Sequence, residues 1–449
     1  MTRLAPALVP ALAAVVGFAA LVAVPADAGD LPKEKERALR ELLTKVLAEP
    51  DASARKSLAA GAPAIAGDAP WADVVAAVRK GPLLPAGTPK ARKVAGKTEE
   101  LTVVGTTTVG WSFEWKGAVH RYAVDVPKDY DPSKPAGLLL DPGHGTGLGK
   151  PDKEKAGFLD MWRRFADESG HREWLVARTE IIEQVGADGA RGALPEDEVA
   201  QVFDAFFRDV LTRFAVDPDR IVVSGLSQTG FWAWYLGAFR ADRFSGIAPM
   251  SAVTWHVNRF AGNFVSLPVF VLHGDADPIC PVAQPRATCA LLARLGADVQ
   301  YKEIAGAKHE YAVWKNLPAG LTWLAGKPRQ HAPRRVSKSV RNTLGPWASW
   351  IRIDAIDEEG KGAANGPPTA GVDAEIAGQT IRVFSDRVTA LTVCLSAEML
   401  DLAQPVEIVW NGKTVHGAVV KPNFATLFEI AGEKCDWAAT FDATVSLKR

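Results

Sequence analysis

Cysteine is scarce in this 449-residue chain: there are four, falling as Cys280 with Cys289 and Cys394 with Cys435. Neither pair has a second cysteine or histidine at metal-ligand spacing, so no metal site is expected. Two readings of the cysteines stand open, two disulfides closed after export or four buried thiols. An excess of charge of either sign is also lacking. Lys+Arg and Asp+Glu both number 52, which excludes the dense positive field that releases counterions from a nucleic acid, and no nucleic-acid partner is expected. Internal repeats and low-complexity tracts are absent. Beyond residue 25 no apolar run is long enough to span a bilayer, so no membrane span is expected in the mature chain.

What is present reads as a folded protein. With 47% hydrophobic and 23% charged residues the chain is neither polar enough for disorder nor apolar enough for a membrane bundle, and its length predicts two or three domains. Arg3 precedes an almost unbroken apolar run from Ala5 to Pro25, and Ala26-Asp27-Ala28 places small residues at a signal-peptidase site. Residues 1–28 therefore read as a signal peptide and the mature protein as secreted or periplasmic. The competing reading is a retained anchor, because the run is close to the ~20 residues a spanning helix needs.

Residues 29–97 form a helical N-terminal segment and linker. Leu39, Leu42, Leu43, Val46 and Leu47 make one apolar stripe, Val74, Val75 and Val78 another, and Gly81 to Lys97 carries no pattern. Over 98–330 short β-branched runs alternate with longer amphipathic ones, the mark of parallel strands joined by crossover helices. Leu101–Val109 and Ala118–Val126 read as an opening antiparallel pair, and further strands fall at 137–140, 173–178, 221–224, 246–250, 269–273 and 299–304. The sheet should be mostly parallel with about eight strands. Glu196 to Phe214 puts Val199, Val202, Phe203, Phe206, Phe207, Val210 and Leu211 on one helical face. Residues 331–449 shift to alternating β patterns without long helical runs. Their clearest element is the hairpin Val406 to Val415 around Asn411-Gly412, so a β-rich, sandwich-like domain is expected.

The chemistry concentrates where a strand meets a helix: Arg220-Ile221-Val222-Val223-Ser224-Gly225-Leu226-Ser227-Gln228-Thr229-Gly230, then the helical run Phe231 to Phe239. Small residues flanking a serine at that junction suit a tight, strained turn that lifts the hydroxyl out of the sheet. The following helix aims its first amides at the same point, so the Gln228 amide can donate to an oxyanion. On these residues the chain resembles the α/β-hydrolase superfamily, nearest to its serine esterases: feruloyl esterases, polyhydroxyalkanoate depolymerases and the phospholipase/carboxylesterase group. The resemblance spans about Thr102 to Leu324. It departs from Gly-x-Ser-x-Gly, because Thr229 stands at the last position and Gly230 comes one place late.

A serine hydroxyl needs a base to take its proton and a carboxylate to orient that base. The family's acid loop resembles Val269-Phe270-Val271-Leu272-His273-Gly274-Asp275-Ala276-Asp277-Pro278, and the aspartate before the proline, Asp277, is implied as triad acid. Asp275 is its rival, with holding turn amides as its alternative role, and His273 reads as a brace. The loop Ile304-Ala305-Gly306-Ala307-Lys308-His309-Glu310-Tyr311 supplies His309 as base, in the chain order Ser, Asp, His that this fold uses. The glycine-rich stretch Asp141-Pro142-Gly143-His144-Gly145-Thr146-Gly147 stands where the family keeps its second oxyanion donor, implying the amide of His144 or Gly145. It lacks the lysine followed by serine or threonine of a P-loop. Trp232, Trp234, Trp255 and His256 are pocket candidates, with Trp255 foremost for substrate binding.

The expected activity is hydrolysis of a carboxylic ester, small or polymer-linked, through an acyl-enzyme and without a cofactor. One alternative is a serine peptidase of the prolyl-oligopeptidase kind, which uses the same triad. Another is a non-catalytic glycan- or cell-wall-binding protein, using Trp347, Trp350, Trp410 and Trp437 of the C-terminal domain. Inward-packing strand aromatics favour the core for those tryptophans.

Overall fold

The computed structural model describes residues 31–449 apart from 88, 144–151, 180–182, 186–190, 194–195, 344 and 358–368. Residues 1–28, read as a signal peptide, lie outside the described part, as do His144 and Gly145. Among the described residues no helix is long and apolar enough to cross a membrane.

Four helices come first: α1 Lys33–Ala48, α2 Ala52–Ala59, α3 Ala62–Ala66 and α4 Trp71–Arg79. The apolar stripe of α1, Leu39, Leu42, Leu43, Val46 and Leu47, is buried. It joins the same apolar cluster as Phe203 and Phe207 of the central domain and Leu427 and Phe428 of the C-terminal domain. The segment therefore packs as part of one continuous core.

The central sheet holds nine strands, one more than the alternation predicts. They are β1 Thr102–Val104, β2 Thr107–Trp115, β3 Ala118–Asp125, β4 Ala136–Asp141, β5 Leu175–Thr179, β6 Val216–Leu226, β7 Gly246–Met250, β8 Val269–Gly274 and β9 Val299–Ile304. Their order is β9-β8-β7-β6-β4-β5-β3-β2-β1; β4 to β9 pair in parallel, while β3, β2 and β1 are joined antiparallel. The extra strand arises inside the run read as Leu101–Val109. Gly105, at φ +64°, turns the chain there, so β1 folds back on β2 and it is β2 that pairs with β3.

Helices α5 Asp152–Glu168, α6 Glu196–Leu211, α7 Gln228–Phe239, α8 Ala283–Arg294, α9 Tyr311–Trp314 and α10 Leu317–Ala325 connect these strands. All seven apolar residues anticipated on one face of α6 are at most 1% exposed, which fixes that helix between the sheet and α1. Leu159, Trp162 and Phe165 of α5, with Leu317, Leu321 and Leu324 of α10, cover the other face.

The C-terminal domain places a five-stranded and a four-stranded sheet around one core. Asn411 and Gly412, at φ +47° and +81°, close its hairpin. Trp347, Trp350, Trp410 and Trp437 are all at most 6% exposed, so they fill the interior. Against the reading of a domain without long helices stands α11, Phe424–Lys434. Its faces bind the domains together: Leu427 and Phe428 enter the main core, Ile430 the sandwich core.

Buried ion pairs hold the junction. Arg329 donates twice to Asp436, at 2.6 and 2.9 Å, and to Asp219 at 2.8 Å, while Lys434 pairs with Asp242. Lys338, 2% exposed, donates to the carbonyls of Ala238 and Phe239. Burial, then the charge of Arg240, draws its ammonium down to about 7, with Asp242 opposing and Lys434 assisting. A lysine whose folded value lies below its unfolded one burdens the fold while both states are charged, and that burden lifts as pH rises from about 7 toward the unfolded value near 10.4. Lys338→Met should therefore raise Tm more, relative to wild type, at pH 6.5 than at pH 9.5. Thermal melts of both proteins at the two pH values check this; a difference independent of pH contradicts it.

Candidate active site

Strand β6 ends at Leu226 and α7 begins at Gln228, which leaves Ser227 alone at the corner with φ 56° and ψ −118°. A serine in this left-handed region is strained, and its neighbours hold it there. The Ser227 amide donates to Met250 O of β7 at 2.9 Å, and its carbonyl accepts from the Phe231 amide at 3.0 Å. A Cβ on Gly225 would stand 2.3 Å from the Thr229 main chain, so only glycine passes at that point. Thr229, the departure from the usual motif, closes the turn with its hydroxyl: Oγ1 accepts from the Leu226 amide at 2.9 Å and lies 3.1 Å from the Leu226 carbonyl. Thr229→Val keeps the shape and removes both contacts. It should cost about 1–2 kcal/mol of stability and lower kcat, while Thr229→Ser preserves both. Denaturant titration and ester kinetics on the two variants measure this.

The loops after β8 and β9 bring Asp277 and His309 together: His309 Nδ1 and Asp277 Oδ2 are 2.8 Å apart. The other carboxylate oxygen of Asp277 accepts from the amides of Ile279 and Cys280, both at 2.8 Å. Burial alone would raise this carboxyl. The Cys280 amide, His309 and the Ile279 amide outweigh burial and hold it below the ordinary carboxylate value. Asp275 does something else, accepting from the Gly306 amide at 2.7 Å and so tying the acid loop to the histidine loop. His273 is wholly buried with Nε2 2.8 Å from Cys280 O, a brace beneath the acid loop. Trp314 stands edge-on to the His309 ring and donates to Ser251 Oγ at 3.3 Å.

A cavity of about 360 Å³ opens at Ser227, lined also by Gln228, Phe231, Trp232, Val253 and Cys280. Cys280 joins the two halves of the site, because its sulfur lies within 4.8 Å of donor atoms of both His309 and Asp277. The serine cavity and the Asp277–His309 pair thus share a wall. Among the described residues the Ser227 hydroxyl itself makes no hydrogen bond. Those three clustered donors suit a metal poorly: both Asp277 oxygens are engaged, and burial pushes the Cys280 thiol up to about 11. All four cysteines are free and buried, so of the two readings the thiols hold.

The first turn of α7, whose leading amides have no partner within the helix, faces Ser227 and includes that of Gln228. The loop after β4 is described only to Gly143. It is pinned by Asp141, whose buried carboxylate accepts from the Gly143 amide at 3.1 Å and Trp162 Nε1 at 2.9 Å and lies 3.4 Å from Arg178 Nε. Gly143, at φ +67°, passes so close to β5 that a Cβ would overlap Thr179 O. Asp141 and Cys280 are site residues the sequence reading did not single out. An acidic residue right after the strand read at 137–140 was the available signal for the first; nothing in sequence placed the second. Of the pocket candidates, Trp232 lines the cavity, Trp234 is buried in the core, and His256 is buried beneath Phe231, its ring centroid 3.9 Å away. Trp255 is 59% exposed, two residues beyond the cavity-lining Val253.

Residues 196–315, which run from α6 through the serine corner to His309, match the profile of the Phospholipase/Carboxylesterase family. The central domain has the α/β-hydrolase fold. Of the esterase groups it resembles in sequence, this match falls on the phospholipase/carboxylesterase group. Two curated relatives are named acyl-protein thioesterase 1. The one from Gibberella zeae is 28% identical over 138 residues, 28% of this chain and 59% of its own length. The one from Neurospora crassa is 29% identical over 134 residues, 27% of this chain and 55% of its own. The chain thus spans little more than half the length of these relatives. Solved structures to which this chain is similar include a thermostable esterase (TM-score 0.39, 21% identity, 50% of this chain and 64% of that one). Another is an S-formylglutathione hydrolase from Agrobacterium tumefaciens (TM-score 0.39, 14% identity, 51% and 98%).

Proposed function

We propose that the protein hydrolyses carboxylic esters, or the thioesters for which its curated relatives are named, through an acyl-enzyme formed on Ser227. One observation carries this reading: a strained serine corner at the head of a helix opens into a cavity walled by Cys280, and Cys280 abuts a hydrogen-bonded Asp277–His309 pair. Ser227 Oγ attacks the acyl carbon while His309 takes its proton and returns it to the leaving oxygen or sulfur. Asp277 keeps the proton of His309 on Nδ1, leaving Nε2 as acceptor. The Gln228 amide donates to the oxyanion, with His144 or Gly145 as second donor. Water then releases the acid by the same steps in reverse roles. Serine–histidine contacts commonly tighten only when substrate fills the site.

Phe231, Trp232, Val253 and Cys280 make the cavity apolar, which suits an acyl group better than a charged one. Exposed Trp255 and Ile279 on the neighbouring loops extend that character outward, and Trp255 is the proposed substrate contact. The reading as a non-catalytic glycan binder loses its support, since its four tryptophans are buried. The apolar run before Pro25 and the Ala26-Asp27-Ala28 step support export to the secreted or periplasmic compartment.

The decisive experiment is labelling with a fluorophosphonate, followed by mapping of the adduct by mass spectrometry and by rates on p-nitrophenyl esters, acyl thioesters and peptide amides. One adduct, on Ser227, with ester or thioester turnover far above amide turnover, is expected. Turnover without labelling, or an adduct elsewhere, refutes the assignment; preferred amide cleavage makes the protein a peptidase on the same triad.

A further inference from the structure

A trough of about 640 Å³ lies away from the serine cavity, and none of Ser227, Asp277 and His309 lines it. Asp204 and Arg208, four apart on α6, and Thr212 just past its end contribute one face of it, and the remaining walls come from the N-terminal helices, the 92–95 linker, β2, the turn after α7 at 240–243 and the C-terminal domain. Eight lining side chains are Arg or Lys and five are Asp or Glu. Four of those carboxylates are already matched, Asp204 by Arg240, Asp209 by Arg213, Asp242 by Lys434 and Glu433 by Arg352.

Three guanidiniums are left over. Among the described residues Arg55, Arg208 and Arg243 meet no carboxylate at ion-pair distance. Main-chain carbonyls hold them instead: those of Glu49 and Pro50 for Arg55, of Leu47 and Gly432 for Arg208, and of Cys435 for Arg243. Arg243 is 5% exposed, and its Nη1 is buried without a hydrogen-bond partner among the described residues. Arg55 feels its neighbour, since burial first and the Arg208 charge second draw its guanidinium below the ordinary arginine range. Capping the C-terminal ends of α1 and α11 accounts for the carbonyl contacts. It does not account for like charges gathered in a roomy trough with donors to spare, an arrangement that an anion between them relieves.

We propose that the trough is a binding site for a multivalent oxyanion, a phosphate or sulfate group either free or carried on a larger molecule, seated on Arg55 and Arg208 and drawn by the charge of Arg243. Guanidinium forks match such oxyanions in geometry and charge. The occupant would touch α2, α6 and α11 together, so binding stabilises the packing of the N-terminal helices and C-terminal domain on the hydrolase.

The test uses the full chain and thermal melts in phosphate or sulfate against sodium chloride at matched ionic strength. A saturable rise of Tm specific to the oxyanions is expected, reduced in Arg55→Gln and in Arg208→Gln, with ester hydrolysis at the distant Ser227 unchanged. Should either variant fold poorly, wild-type protein supplies the second readout: phosphate should slow phenylglyoxal modification of Arg55 and Arg208, mapped by mass spectrometry. A sugar phosphate that protects at lower concentration than inorganic phosphate identifies the carried form; the opposite order identifies the free ion. Equal Tm in oxyanion and chloride, or modification rates indifferent to phosphate, overturns the proposal.

Discussion

Ser227→Ala is expected to lower kcat on a p-nitrophenyl ester by roughly 10⁶, with Tm almost unchanged. The two halves of that result have separate causes. The hydroxyl makes no hydrogen bond among the described residues, and the strained corner is held through main-chain bonds to Met250 and Phe231, which alanine retains. Alanine and serine bear the same penalty at φ 56°, so folding loses little. On the proposed mechanism the chemistry, by contrast, loses the atom that attacks. What remains is the rate due to the oxyanion donors and to binding alone, roughly 10³ to 10⁴ above water. His309→Ala should fall to the same floor, and the double variant should be no slower than either single one, because nucleophile and base act as a unit. Losses that multiply in the double variant would mean that the two side chains serve different steps. Measuring kcat for the three proteins, with melts run alongside, separates these outcomes.

Much of this was legible in the sequence for reasons that can be named. The stripes of α1 and α6 are amphipathic over four turns, and their buried residues are the ones periodicity selects, because nothing in their surroundings overrides the helical repeat. The triad candidates followed from chain order and from glycine at a strand–helix corner. Elsewhere the signal was too short or too local. The turn at Gly105 hides in a β-branched run that reads as one strand. Helix α11 is eleven residues with an interior Gly432, whose missing Cβ lets it lie against Val46 of α1; that reason is visible only once the two helices touch. The roles of Asp141 and Cys280 depend on distances across loops. The basic trough could not be read at all, since Arg55, Arg208 and Arg243 are far apart in the chain and only the packing of α2, α6 and the turn after α7 assembles them.

Asp277→Asn should lower kcat by roughly 10⁴ with the geometry of the site preserved, whereas Asp275→Asn should stay within a few-fold of wild type. The contrast follows from what each oxygen does. At position 277 an asparagine keeps its carbonyl toward the amides of Ile279 and Cys280 and must then present its NH₂ group to His309 Nδ1. That nitrogen can accept only if the ring proton moves to Nε2, the atom that has to take the proton from Ser227. The wrong tautomer is thus built in without a change of shape. At position 275 the carboxylate only accepts from the Gly306 amide, and an asparagine carbonyl does the same. The carboxyl of Asp277, held below the ordinary range by its amides and by His309, also stays charged near neutral pH. The acid therefore sets no limit on activity near neutral pH. Comparable losses at 275 and 277, or a larger one at 275, would transfer the acid's role to Asp275 and leave Asp277 a loop anchor.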